Sequence, residues 1–289
     1  MRQAIRRRLP QLQLAPAVAV LLVFFVIPLA MTFMWGFWPR TQFWMEPGFT
    51  LEAYNTFFST GRVDVYLKSL RLSVISVILS LVLGYPVAYF VGRRLPEDVA
   101  FGLLFVFVLP FIISSVIRTL SWRFLLGRQG IINQTLVGIG IVNEPLDWLL
   151  FSEFSVILGL VTASLPFVIF PVWLSIRTID DSLLEASADL GARPLTTFRR
   201  VTLPLSLPGV FAASIFVFVT AFGETAIPEL LGGSGFSTVG TSITSVLGVL
   251  NYPLAAAISS ISIATMLVLL GLWAYFFDLN NLVSMGGGS

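Results

Sequence analysis

The 289 residues are 56% hydrophobic and 11% charged, with a mean hydropathy of +0.92. A soluble domain carries roughly 25% charged residues, and surface-to-volume scaling leaves no way to hide this much apolar surface from water, so the composition excludes a soluble globule and predicts an integral membrane protein. Cys and His are both absent, which excludes disulfides, thiol nucleophiles, iron–sulfur clusters, imidazole base catalysis and the usual zinc sites.

In chain order, six charge-free stretches are long enough for the roughly 20 helical residues that cross about 30 Å of hydrocarbon: 14–38, 72–92, 99–117, 154–176, 201–223 and 253–277. None shows the period-two alternation of a lipid-facing barrel strand, and helices satisfy every backbone group inside hydrocarbon. The fold class is therefore all-α, a polytopic membrane protein with six transmembrane helices in one domain over 1–285. Pro28, Pro86, Pro110, Pro166 and Pro171 fall inside the spans; each removes a helical hydrogen bond and favours a kink. The first apolar run is longer than the 7–15 residues of a signal-peptide core, so it reads as an uncleaved helix. The final Gly286-Gly287-Gly288-Ser289 resembles an expression linker.

Basic residues set the orientation. With the N-terminus inside, ten fall on the inner side (Arg2, Arg6, Arg7, Arg8, Arg93, Arg94, Arg177, Arg193, Arg199 and Arg200) and seven in the longer outer segments. The denser inner charge predicts that both termini are cytoplasmic. Arginines scattered among apolar spans do not form a nucleic-acid-binding face. Lys68 is the only lysine, and Leu67 stands where a Walker A motif needs Gly, so the chain has no P-loop. Two outer segments are expected to be structured. Residues 118–153 contain Trp122, Pro145 and Trp148 and suit a short interfacial helix. Residues 229–252, charge-free after Glu229, suit a segment dipping into the protein.

The inner segment after span four carries the strongest signal. Asp180 or Asp181 suits a helix N-cap, residues 182–190 are helix formers, Gly191 suits the left-handed position past a helix end, and Pro194 blocks continuation. Within it, Glu185-Ala186-Ser187, Gly191 and Val201-Thr202-Leu203-Pro204 resemble the EAA signature of ABC importer permeases: Glu-Ala-Ala, three residues, Gly, nine residues, Ile-x-Leu-Pro. Ser187 and Val201 are small departures that keep the geometry. Leu83-Gly84-Tyr85-Pro86, Ile117-Arg118-Thr119 with Trp122, Gly130-Ile131-Ile132-Asn133, Leu165-Pro166-Phe167 and Pro228-Glu229-Leu230-Leu231-Gly232-Gly233 extend the resemblance over nearly the whole chain, toward the spermidine/putrescine class of these importers.

The resemblance implies a type I importer permease in a bacterial inner membrane. Its partners would be a second permease, usually a different chain, two ATPase subunits and a periplasmic or surface-anchored substrate-binding protein. ATP and magnesium would sit on the ATPase, leaving this chain without a cofactor, a metal or a catalytic residue. Glu185, Ala186, Ser187, Gly191 and Arg193 would couple to the ATPase. Glu224, Glu229, Tyr85, Tyr89 and Trp122 are candidates for the pathway of a cationic solute through carboxylates and cation–π faces, while for Glu224 a role in capping or bracing the outer gate is at least as good a reading. Arg118, Arg123 and Arg128 form an outer positive group that could repel a polyamine, attract an anion or pair with acidic residues of a docked binding protein, the last favoured because charge complementarity at a rim steers association. The expected cargo is a polyamine; an organophosphonate, opine, amino-acid-like compound or ferric ion fits the same architecture. A secondary transporter fits less well, because the span centres hold almost no ionisable groups. An enzyme fits poorly, because no span pairs catalytic groups.

Overall fold

The computed structural model describes residues 16–42 and 44–276. Arg2, Arg6, Arg7, Arg8, the chain termini and the Gly286–Ser289 segment lie outside the described residues. The elements are α1 (Pro16–Trp35), α2 (Glu52–Ser59), α3 (Arg62–Arg94), α4 (Glu97–Ile112), α5 (Ser115–Leu126), α6 (Ile131–Gly138), α7 (Glu153–Arg177), α8 (Asp181–Asp189), α9 (Pro194–Gly223), α10 (Ala226–Leu231), α11 (Val239–Gly248) and α12 (Tyr252–Phe276). No strand forms among the described residues beyond one bridge, Arg40–Met45.

Helices α1, α3, α7, α9 and α12 are long and apolar enough to cross a membrane. The third stretch, 99–117, differs from the expectation of one continuous span. Helix α4 ends at Ile112, Ile113 is extended (φ −85°, ψ 138°), and α5 restarts the helix at Ser115. Hydropathy runs on through this break because Ile113, Val116 and Ile117 are all apolar. The signal it misses is Ser114, a residue type that favours helix starts. Beyond it, α5 runs into the 118–153 segment and α6 stands in it, while α10 runs into the 229–252 segment and α11 stands in it, where Leu231, Thr238, Val239 and Val246 are buried.

Packing groups the chain into two units. Among the described residues, one combines 16–63 with Ile243–Leu269; the other combines Asp64–Ser242 with 270–276. In the first, Phe37 stacks on Phe49 (5.4 Å) and meets Tyr54 (4.9 Å), while Trp44 meets Tyr252 (4.7 Å). Arg40 donates to the Val249 carbonyl (3.0 Å).

The second unit holds the larger core. Ala88 and Val91 of α3, Ala100 and Leu104 of α4, Val168, Ile169, Val172 and Ile176 of α7, and Ala213 and Val217 of α9 are buried together. Small residues let the backbones approach, as expected where helices pack without a hydrophobic driving force. A Cβ on Gly84 would come within 2.8 Å of Val168, and one on Gly209 within 2.4 Å of the Pro171 carbonyl oxygen. The helices run as single elements through Pro86, Pro166, Pro171 and Pro208. Beside Pro166 and Pro171 lies an apolar pocket of about 300 Å3, walled by Phe111, Phe167, Phe170 and Phe216. Helix α7 starts from a reciprocal cap between Ser152 and Ser155, and Ser155 Oγ also donates to the Leu231 carbonyl (2.8 Å), tying α7 to α10.

Candidate functional site

The segment 180–204 is built from strong local signals. Asp180 is extended (φ −63°, ψ 132°), and its carboxylate accepts from Ser182 N–H (2.9 Å), satisfying one of the unpaired donors at the start of α8. At the other end Gly191 takes φ +73°. Gly191 N–H donates to the Ala188 carbonyl (2.8 Å) and Ala192 N–H to the Ser187 carbonyl (3.1 Å). This pair of bonds is the Schellman closure that a left-handed glycine permits. Pro194 then begins α9 at its first turn, where its missing N–H costs nothing. The Ser182 bond holds the Asp180 carboxyl below the usual aspartate range. A lowered folded value contributes stability that is present above the unfolded value of about 3.9 and lost as pH falls through the lowered one. The protection of Ser182 N–H relative to its intrinsic exchange rate is therefore expected to fall as pH drops through the lowered Asp180 value, while Asp180→Asn keeps its protection; a wild-type protection factor that does not change over that acid range would contradict this capping.

Long-range contacts then fix the segment. Arg93, at the end of α3, donates from Nη1 to Asp181 Oδ1 (2.6 Å) and from Nη2 to the Ile179 carbonyl (3.0 Å). Its side chain is 12% exposed and that of Asp181 81%, so the bridge matters for position more than for Coulomb energy. Ser187 Oγ lies 2.9 Å from Thr197 Oγ1, joining α8 to the start of α9. The departure from a third alanine therefore has a partner. Phe198–Thr202 forms a π-helical turn, a feature frequent at functional sites. Phe198 packs edge-on against Tyr85 (5.7 Å) and Tyr89 (5.8 Å).

What α8 presents outward is open. Leu190 is 89% exposed, and Leu183 and Leu195 are exposed with it. Glu185, Ala186 and Arg193 are exposed. Among the described residues Glu185 forms no ion pair with Arg193, Arg199 or Arg200. Sequence reading did not single out Arg93 or Leu190. A basic last turn facing an acidic first turn was the available signal for Arg93, and an apolar residue beside the stop glycine was the one for Leu190.

The other candidates separate into two places. Tyr85 Oη lies 2.8 Å from Ser206 Oγ, in the first half of α9, whereas Glu224 follows the far end of that helix. Residues 206 and 224 are thus about 27 Å apart along the axis, and the five pathway candidates do not form one site. Glu224 Oε1 accepts from the N–H groups of Thr225 (3.2 Å), Ala226 (3.0 Å) and Ile227 (3.4 Å), so its carboxylate caps α10. Glu229 is exposed on α10. Trp122 packs on the cluster of Val156, Leu160, Ala221, Ile227 and Leu231.

Arg118, Arg123 and Arg128 do not form one free positive patch. Arg118 lies over the Phe111 ring and Arg123 over Phe151, each at 5.2 Å. Arg128 pairs with Asp147 (3.4 Å). Arg71 makes a two-pronged bridge to Glu153 (2.7 and 2.5 Å), and Lys68 sits 3.5 Å from the centre of the Phe236 ring. These five cations are thus paired or stacked within the chain.

Residues 65–280 match the family model described as binding-protein-dependent transport system inner membrane component. The spermidine/putrescine transport system permease protein PotB of Escherichia coli (strain K12) is 36% identical over 239 residues, covering 82% of this chain and 86% of that protein. PotB of Haemophilus influenzae is 38% identical over 242 residues, covering 82% and 84%. The molybdenum transport system permease protein ModB of Mycobacterium bovis is 30% identical, covering 78% of each. Among solved structures, a chain of a bacterial ABC transporter that imports the acidic polysaccharide alginate superposes with a TM-score of 0.75, covering 95% of this chain and 96% of that one at 18% identity, a likeness of fold. The capped helix α8, the long apolar helices and these matches agree: the chain belongs to the family of binding-protein-dependent transport system inner membrane components, the permeases of ABC importers.

Proposed function

We propose that this chain lines half of the path of an importer for polyamines, beside a second permease, and that α8 is the part that seats in a separate ATPase chain holding ATP and magnesium. The observation that carries this reading is the state of α8. It is capped at both ends and anchored at its base by Arg93 and Thr197, yet it leaves Leu190 and the unpaired Glu185 exposed. A helix fixed on one side and bare on the other suits transmission of a rigid-body displacement. In this reading both termini face the cytoplasm, and a binding protein delivers cargo at the end carrying α5 and α10. ATPase closure then moves α8 and, through it, the ends of α3 and α9.

The polyamine assignment is supported by the names of the PotB relatives. The Glu224 carboxylate already serves three backbone donors, so cargo selection falls mainly to the binding protein. Two measurements test the whole reading. Full burial of a leucine contributes about 1.5–3 kcal/mol, so Leu190→Asp is expected to cut recovery of a co-expressed ATPase with the tagged chain by about tenfold or more; equal recovery overturns the docking assignment. The partner binding protein is expected to bind spermidine or putrescine in calorimetry. Binding of an organophosphonate or a ferric ion instead would replace the cargo while leaving the architecture standing.

A further inference from the structure

A polar pocket of about 500 Å3 opens where α3 and α7 end and α8 begins, with Arg93, Arg94 and Arg177 on its wall and Asp181 as its only carboxylate. Arg177 is held by Glu97 from outside the lining (3.0 Å). Arg93 uses both terminal nitrogens on Asp181 and the Ile179 carbonyl, yet its Nε is buried without a partner. Arg94 is exposed and makes no hydrogen bond or ion pair among the described residues. The pocket therefore holds more guanidinium donors than acceptors, and a buried N–H with no acceptor is costly.

The location says what supplies the acceptors. Arg94 and Arg177 are the last residues of two helices of membrane-crossing length, which places the pocket at headgroup depth. One turn deeper, Phe90, Phe101 and Leu174 are all more than half exposed, an apolar surface at acyl-chain depth beneath a cluster of arginines. Basic pockets between the inner ends of spanning helices suit acidic headgroups, and guanidinium pairs match phosphate oxygens geometrically.

We propose that this pocket binds the phosphate of an acidic phospholipid. Arg94 is its main free donor and Arg177 and the Arg93 Nε are its flanks. Because Asp181 and Leu184 of α8 share the pocket wall, a bound headgroup braces the base of the inner helix. The proposal stands on the pocket and the membrane-crossing helices and holds whatever the cargo or the ATPase partner.

The test places the full chain in nanodiscs of phosphatidylcholine with a tenth of phosphatidylglycerol, at physiological salt, and reads the lipids retained by native mass spectrometry. Phosphatidylglycerol is expected to be enriched about fivefold over its bulk fraction, the scale of one unpaired basic residue near an anionic surface. Arg94→Gln is expected to bring the ratio close to one, while Arg128→Gln, which removes the same charge from a residue far along the chain, leaves it unchanged. No enrichment in the wild type, or equal loss in both variants, overturns the proposal. Displacement of the lipid by millimolar inorganic phosphate also overturns it, since the pocket would then be a site for soluble anions.

Discussion

Gly191→Val is expected to lower transport by tenfold or more while leaving the membrane-crossing helices folded and ATP hydrolysis by the assembled complex largely intact. Gly191 sits at φ +73° with nothing within 4 Å of where a Cβ would stand, so the penalty is conformational and not a clash. A left-handed residue costs an L-amino acid roughly 1–2 kcal/mol, and more when it is β-branched. The chain escapes this by leaving the left-handed region, which breaks the bonds from Gly191 to Ala188 and from Ala192 to Ser187. Helix α8 then loses its fixed direction relative to Pro194 while its anchor to Arg93 remains. Asparagine tolerates the left-handed region, so Gly191→Asn is expected to recover most of the transport. The measurement is solute uptake per ATP hydrolysed in proteoliposomes; an unchanged ratio in the valine variant would contradict the role assigned to this turn.

Gly209→Ala is expected to destabilise the helix bundle sharply, although it adds a single methyl group. The new Cβ would lie 2.4 Å from the Pro171 carbonyl oxygen and 2.6 Å from Ser175 Cβ. The first is backbone and cannot swing aside, so α7 and α9 must separate where Gly209 meets Pro171. Overpacking of this kind costs about 3 kcal/mol. Thermal unfolding in detergent should show a clearly lower midpoint, together with poorer yield. Gly102→Ala and Gly271→Ala are the matched controls, because nothing stands within 4 Å of either Cβ position. Their midpoints should stay level or rise slightly, since alanine favours a helix over glycine by up to about 1 kcal/mol. A fall as large in the controls as in Gly209→Ala would refute the packing argument.

What could be read from residue types alone was local. The cap at Asp180, the turn at Gly191 and the restart at Pro194 follow from side chains acting within four residues of themselves, and each has one conformation that satisfies it. The long apolar helices were legible because hydrocarbon demands length. What depends on distant partners was not. Arg93 and Asp181 are 88 positions apart, and no periodicity links them. Arg128, grouped by sequence with Arg118 and Arg123, instead pairs with Asp147 across the fold. Glu224 belongs with the local signals: of its two readings, a cation site or a cap, the cap is the one formed, its oxygen accepting from three N–H groups within three residues of itself. The break at Ile113 escaped for another reason: hydropathy sums side chains and is blind to a single extended backbone residue.

Helix α9 runs unbroken from Pro194, two residues beyond the Ala192 that closes the inner turn, to Gly223, one residue before the carboxylate that caps α10. Thirty residues give a rod of about 45 Å. A tilt of about five degrees at its foot would sweep its tip through about 4 Å by the geometry of that length, comparable to the width of a methylene chain. Under the proposed mechanism no relay of loops is needed between the two ends of this helix; one stiff element is long enough to turn a nudge on one side into the opening of a door on the other.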